Sequence, residues 1–87
     1  MGLDSVEFVL EIEKKFSITI DDAEAEKLGI VGDIARYIVR ESLAQNETVV
    51  SYEDALQDIT AMLVNTYDVP RELVTPSAHV VKDLGLD

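Results

Sequence analysis

The residues able to do chemistry in this chain are few and poorly assorted for catalysis. There is one histidine, His79, and no cysteine. Thiolate nucleophiles, Cys–His pairs, disulfides and zinc–sulfur centres are therefore excluded. A lone imidazole without a nucleophile to serve reads as a surface or packing group. Carboxylates are the abundant reactive type: eighteen Asp and Glu face seven Lys and Arg, a formal charge of −11. The Asp21–Asp22 pair lacks the alternating ligands and glycine of a calcium loop and suits a helix cap instead. No glycine-rich phosphate loop occurs. Acidic clusters can gather divalent ions weakly, but no reaction follows from that, so the chain is not expected to be an enzyme. So negative a charge repels nucleic acid and anionic membrane surfaces, and draws in a partner with a basic patch.

The elements that would position these acids are helical. From Leu3 to Phe16 the apolar residues Leu3, Val6, Val9, Leu10, Ile12 and Phe16 are spaced as one helical face, with Asp4, Glu7, Glu11 and Glu13 around the rest. Lys14 and Lys15 fall in the last turn, where cations suit the helix dipole. DDAEAEKLG predicts a brief helix capped by Asp21 or Asp22 and stopped at Gly29. Ile30, Val31, Ile34, Tyr37 and Ile38 mark a third helix, running to about Leu43. AQNET has no apolar period and reads as a linker, residues 44–50. Ser51 with Asp54 resembles a capping box, and the helix behind it uses Ala55, Ile59, Met62 and Leu63 as far as about Tyr67. From Asp68 to Asp87 the period breaks around Pro70, Pro76 and Gly85, a long connection of the kind that is usually functional. No strand-length alternation survives, so the fold class is all-α. No apolar run reaches the roughly 20 residues that span a bilayer. No secretory signal is visible. A cytoplasmic location fits by default.

The two ends of the sequence carry fragments of one motif. It ends on VVKDLGLD and begins on MGLDSVEF, continuing as LDSVEFVLEIEKKFSITI and then DDAEAEK. Read with residues 51–87 first and 2–43 second, the chain resembles an acyl carrier protein over nearly its whole length outside the linker. The family motif would run uninterrupted as D-L-G-x-D-S-L-D-x-V-E-(L/F)-V-x-x-(L/I)-E-x-x-F. The resemblance implies a small four-helix bundle whose helix order is circularly permuted, with new termini at the attachment-site motif and the old termini bridged around residues 44–50. Nine or ten flexible residues reach roughly 15–19 Å, enough to join two helix ends of a small bundle. Compact domains tolerate such cuts in exposed loops.

The resemblance further implies 4'-phosphopantetheine as the prosthetic group, carried on the serine directly after DLGxD. An ungapped match through Leu3, Asp4, Val6, Glu7, Ile12, Glu13 and Phe16 puts Gly2 at that serine's position. A second register takes GLDS, residues 2–5, as the motif and makes Ser5 the attachment residue. It shortens the acidic helix by nearly a turn. The implied partners are a phosphopantetheinyl transferase and acyl-processing enzymes of fatty-acid or polyketide synthesis. Their basic patches would dock Asp4, Glu7, Glu11, Glu13, Asp22 and Asp87. Lys14 and Lys15 depart from the acids usual in the family and narrow the choice of partner. The implied acyl-holding interior is Val6, Val9, Ile12, Ile20, Ala25, Leu28, Ile34, Tyr37, Ile59, Leu63 and Val80, each equally explained as core. A monomer is expected. Two alternatives stand beside this reading: a piece spanning two tandem carrier domains, folding by exchange of halves, and a small acidic helical adaptor without a prosthetic group.

Overall fold

The structure is a computed structural model and describes residues 3–87. Four α-helices follow one another: α1 (Leu3–Phe16), α2 (Asp22–Lys27), α3 (Val31–Asn46) and α4 (Tyr52–Tyr67). A single 3-10 turn at Arg71–Leu73 interrupts the long final connection. Among the described residues the only extended pairing is an isolated antiparallel bridge between Ile30 and His79. The chain is all-α, as its apolar periods predict.

α4 forms because Ala55, Ile59, Met62 and Leu63 recur at helical spacing, and all four are buried. Its start is fixed by the Ser51 hydroxyl, which accepts the Asp54 amide proton at 3.0 Å. α3 packs against α4 through Val31, Ile34, Ala35 and Ile38, none more than 2% exposed. Phe8 and Ile12 of α1 close the core from the other side.

The inward face of α1 differs from the sequence expectation. Ser5, Phe8 and Ile12 are buried, with Val9 and Phe16 half-buried. Leu3, Val6 and Leu10 face outward, 80%, 39% and 57% exposed. Aliphatic residues occur on both sides of this helix, so period counting selects a face without saying which one meets the core. Phe8 decides it: its ring stands edge-on to Tyr67 of α4, with centroids 6.0 Å apart.

The linker is also shorter than expected. α3 continues through Ala44, Gln45 and Asn46 to a left-handed cap at Glu47. Gln45 and Asn46 stay helical because they hold the turn after α1. Gln45 accepts the Thr19 amide at 2.8 Å and donates to the Thr19 carbonyl at 3.0 Å. Asn46 donates to the Phe16 and Ser17 carbonyls. Likewise α2 ends at Lys27 with its cap at Leu28, ahead of Gly29.

The connection from Asp68 to Asp87 crosses the start of α3 and anchors there. The Val31 and Gly32 amides, which a helix start leaves without intrahelical partners, donate to the carbonyls of Ala78 and Pro76 at 2.9 and 2.8 Å. Val69, Ala78, Val80 and Leu86 are buried along the way. Gly29 permits this close approach, since a Cβ there would collide with the His79 imidazole.

Candidate functional site

The first turn of α1 meets the last residue of the sequence. The Ser5 amide donates to the Asp87 carbonyl at 2.7 Å. In an α-helix each amide bonds the carbonyl four residues earlier, and the first such acceptor belongs to the N-cap. Asp87 therefore supplies the acceptor that the N-cap residue of α1 would otherwise supply. Gly2, the residue at the attachment serine's position in the ungapped match, lies outside the described residues. Ser5 falls on the fourth helical position and points inward. It is 5% exposed, and its hydroxyl is buried with no hydrogen-bond partner among the described residues.

The acidic residues sort into different environments. Glu7 and Asp22 are exposed, Asp4 and Glu11 half-buried, and Asp87 exposed at the end of α1. Glu13 is committed internally: its carboxylate accepts the Ile20 amide at 2.8 Å, tying the turn after α1 back to the helix. On the α4 side lies Tyr67, whose hydroxyl is buried without a partner. Burial, and then the negative field of Glu11, Glu7 and Asp4, push its pKa up to about 12. Outward from these acids, Leu3, Val6 and Leu10 form an exposed apolar stripe at i, i+3 and i+7, and Val81 is a further exposed aliphatic residue. Apolar stripes beside charged residues are characteristic of contact surfaces.

A small pocket of about 70 Å³ opens between α1, α2 and the stretch around His79. Of the residues expected around an acyl-holding interior, Val9, Ala25, Leu28 and Val80 line it. Ile12, Ile20, Ile34, Tyr37, Ile59 and Leu63 belong to the close-packed core instead. Val6 is on the outer surface. Sequence reasoning missed Ser5, Phe8 and His79 as pocket-lining residues.

His79 is a structural cap as well as a wall. Its Nδ1 accepts the amides of Val81 and Lys82 at 3.1 and 3.2 Å. Its own amide donates to the Asp83 carboxylate at 2.7 Å. This arrangement caps the turn at 79–84, and the His79–Asp83 spacing was the one sequence signal that could have found it.

Curated acyl carrier proteins match parts of the chain. That of Wolinella succinogenes is 58% identical over 37 residues, covering 42% of this chain and 49% of the relative. That of Helicobacter pylori is 48% identical over 43 residues, 49% of this chain and 55% of the relative. Acyl carrier protein 3, mitochondrial, of Arabidopsis thaliana is 50% identical over 41 residues, 47% of this chain and 31% of the relative. The chain spans about half the length, or less, of these relatives. Neither a family model nor a solved structure matches it. Among the described residues no helix is long and apolar enough to cross a membrane. Over the matched part of its length, the chain is similar to curated acyl carrier proteins.

Proposed function

We propose that the chain is a non-enzymatic acyl-carrier scaffold with the two halves of the family fold in exchanged order, residues 51–87 supplying the first half and 2–43 the second. The observation that carries this reading is the 2.7 Å bond from the Ser5 amide to the Asp87 carbonyl. It supports DLGLD running into LDSVEF as one continuous capped helix start, with a single position between them. On this reading the attachment position is residue 2. Glycine has no hydroxyl there, and the one serine of α1, Ser5, is buried. The described residues therefore do not fit covalent attachment of 4'-phosphopantetheine. The motif order calls for a serine at residue 2, and a phosphodiester is favoured at the start of a helix.

The docking surface of the same reading is the outer face of α1. Leu3, Val6 and Leu10 would enter an apolar depression while Asp4, Glu7 and Glu11, with Asp22 and Asp87, meet a surrounding basic patch. Partners of that description are a phosphopantetheinyl transferase and the acyl-processing enzymes of fatty-acid or polyketide synthesis, with the chain acting in the cytoplasm as a monomer.

The test is intact mass after incubation with coenzyme A and a broad-specificity phosphopantetheinyl transferase. The expected result is no increment on the chain as it stands and a phosphopantetheine increment on Gly2→Ser. An increment mapping to Ser5 would overturn the register. A folded Gly2→Ser variant that stays unloaded would favour an acidic adaptor. Sedimentation checks the tandem-domain alternative, which predicts a dimer formed by exchange of halves.

A further inference from the structure

Two residues lining the pocket between α1, α2 and His79 each carry a polar group with no hydrogen bond among the described residues. One is the Ser5 hydroxyl, buried and unbonded. The other is His79 Nε2. Because Nδ1 already accepts two backbone amides, the proton of the neutral ring sits on Nε2. That nitrogen lies against Gly29, and both Gly29 and His79 line the pocket. The other walls are mainly apolar, among them Phe8, Val9, Leu28 and Val80, while Glu26 brings a carboxylate to the rim. At about 70 Å³ the space holds a few non-hydrogen atoms. An apolar cavity of about 150 Å³ is what benzene needs.

We propose that this pocket selects the short, neutral, oxygen-bearing end of an acyl group, a hydroxyl or ketone on a chain of few carbons, over a saturated hydrocarbon or a carboxylate. The proposal rests on the carrier reading and names the cargo class of that same interior. Each part of the class follows from a wall. Limited volume excludes a long chain unless the wall moves. The Ser5 hydroxyl is already buried without a hydrogen bond, and a saturated chain brings it no partner, so the cost of the unpaired group persists. A ligand hydroxyl or ketone oxygen instead accepts from Ser5 Oγ or His79 Nε2. A carboxylate would meet Glu26 and the −11 charge of the chain.

Free thioesters test this without any loading step. The 15N-labelled protein is titrated with the N-acetylcysteamine thioesters of butyrate, 3-hydroxybutyrate and succinate, following the amides of Ser5, Val9, Leu28 and Val80. The expected result is saturation by the hydroxybutyryl thioester at about 5-fold lower concentration than the butyryl one, the worth of one neutral hydrogen bond. The succinyl thioester should give no pocket shifts. In Ser5→Ala, a substitution that suits a helix, the preference should fall to about 2-fold or less. Equal affinities, pocket binding by the succinyl thioester, an undiminished preference in Ser5→Ala, or no pocket shifts with any probe in the millimolar range would each overturn the proposal. Such a failure leaves loading of Gly2→Ser intact, and a failure of that loading leaves this titration readable.

Discussion

Replacing Tyr67 with phenylalanine isolates one buried hydroxyl among carboxylates. The Tyr67 hydroxyl has no protein partner, and its ring stacks edge-on against Phe8. Phenylalanine keeps the ring and removes the group that is poorly solvated. An unsatisfied buried hydroxyl costs about 1–3 kcal/mol. The residue is only half-buried, so the lower end applies and Tyr67→Phe should stabilise by about 1 kcal/mol at neutral pH, or about 4–8 °C in Tm. The alkaline limb is the stronger check. An ordinary tyrosine loses its proton near pH 10, whereas burial with Glu11, Glu7 and Asp4 holds Tyr67 up to about 12. Between those values the folded chain keeps a proton that the unfolded chain has released, so stability falls as pH rises. A full two-unit difference corresponds to about 2.7 kcal/mol, and discounting for solvent at the half-exposed ring leaves about 1–1.5 kcal/mol. Tyr37, also pushed up by burial, contributes to the fall in both proteins. Urea unfolding followed by circular dichroism, at fixed ionic strength from pH 8 to about 11, gives the difference between the two proteins. That difference should widen with pH. A variant less stable at neutral pH, or a difference that stays constant, would refute the reasoning.

Two further substitutions test the helix ends. Glu47 closes α3 with a left-handed φ of 53°, a conformation that costs a residue with a Cβ, so Glu47→Gly should stabilise by about 0.5–1 kcal/mol in urea unfolding. Ser51→Ala removes the only side-chain bond at the start of α4, and should cost about 1 kcal/mol with little change in the urea m-value.

How far the sequence reached depends on what each residue answers to. α4 was fully legible, because Ala55, Ile59, Met62 and Leu63 recur at helical spacing and are its buried residues, and Ser51 caps it locally. α1 was legible as a helix but not in orientation. Leu3, Val6 and Leu10 are aliphatic on an outer face, and only the packing of Phe8 on Tyr67 shows which side faces in. The end of α3 failed for the opposite reason: Ala44, Gln45 and Asn46 look like linker, and the bonds to Phe16, Ser17 and Thr19 that keep Gln45 and Asn46 ordered are long-range. At the site, motif order pointed to the two ends belonging together. It could not distinguish a free Glu13 from one bound to Ile20, or reveal that Ser5 is buried.

The bond between the Ser5 amide and the Asp87 carbonyl makes one hydrogen a reporter on distant chain. Along the interior of a helix, an amide exchanges with solvent when its own turn opens. At Ser5 the acceptor arrives from the far end of the sequence, so this proton stays shielded only while the stretch carrying Ala78, Val80 and Leu86 remains seated on α3. Its exchange rate therefore reads how often that whole segment lifts away. The first turn of α1 cannot be tighter than the seat of a segment to which it is adjacent only in space.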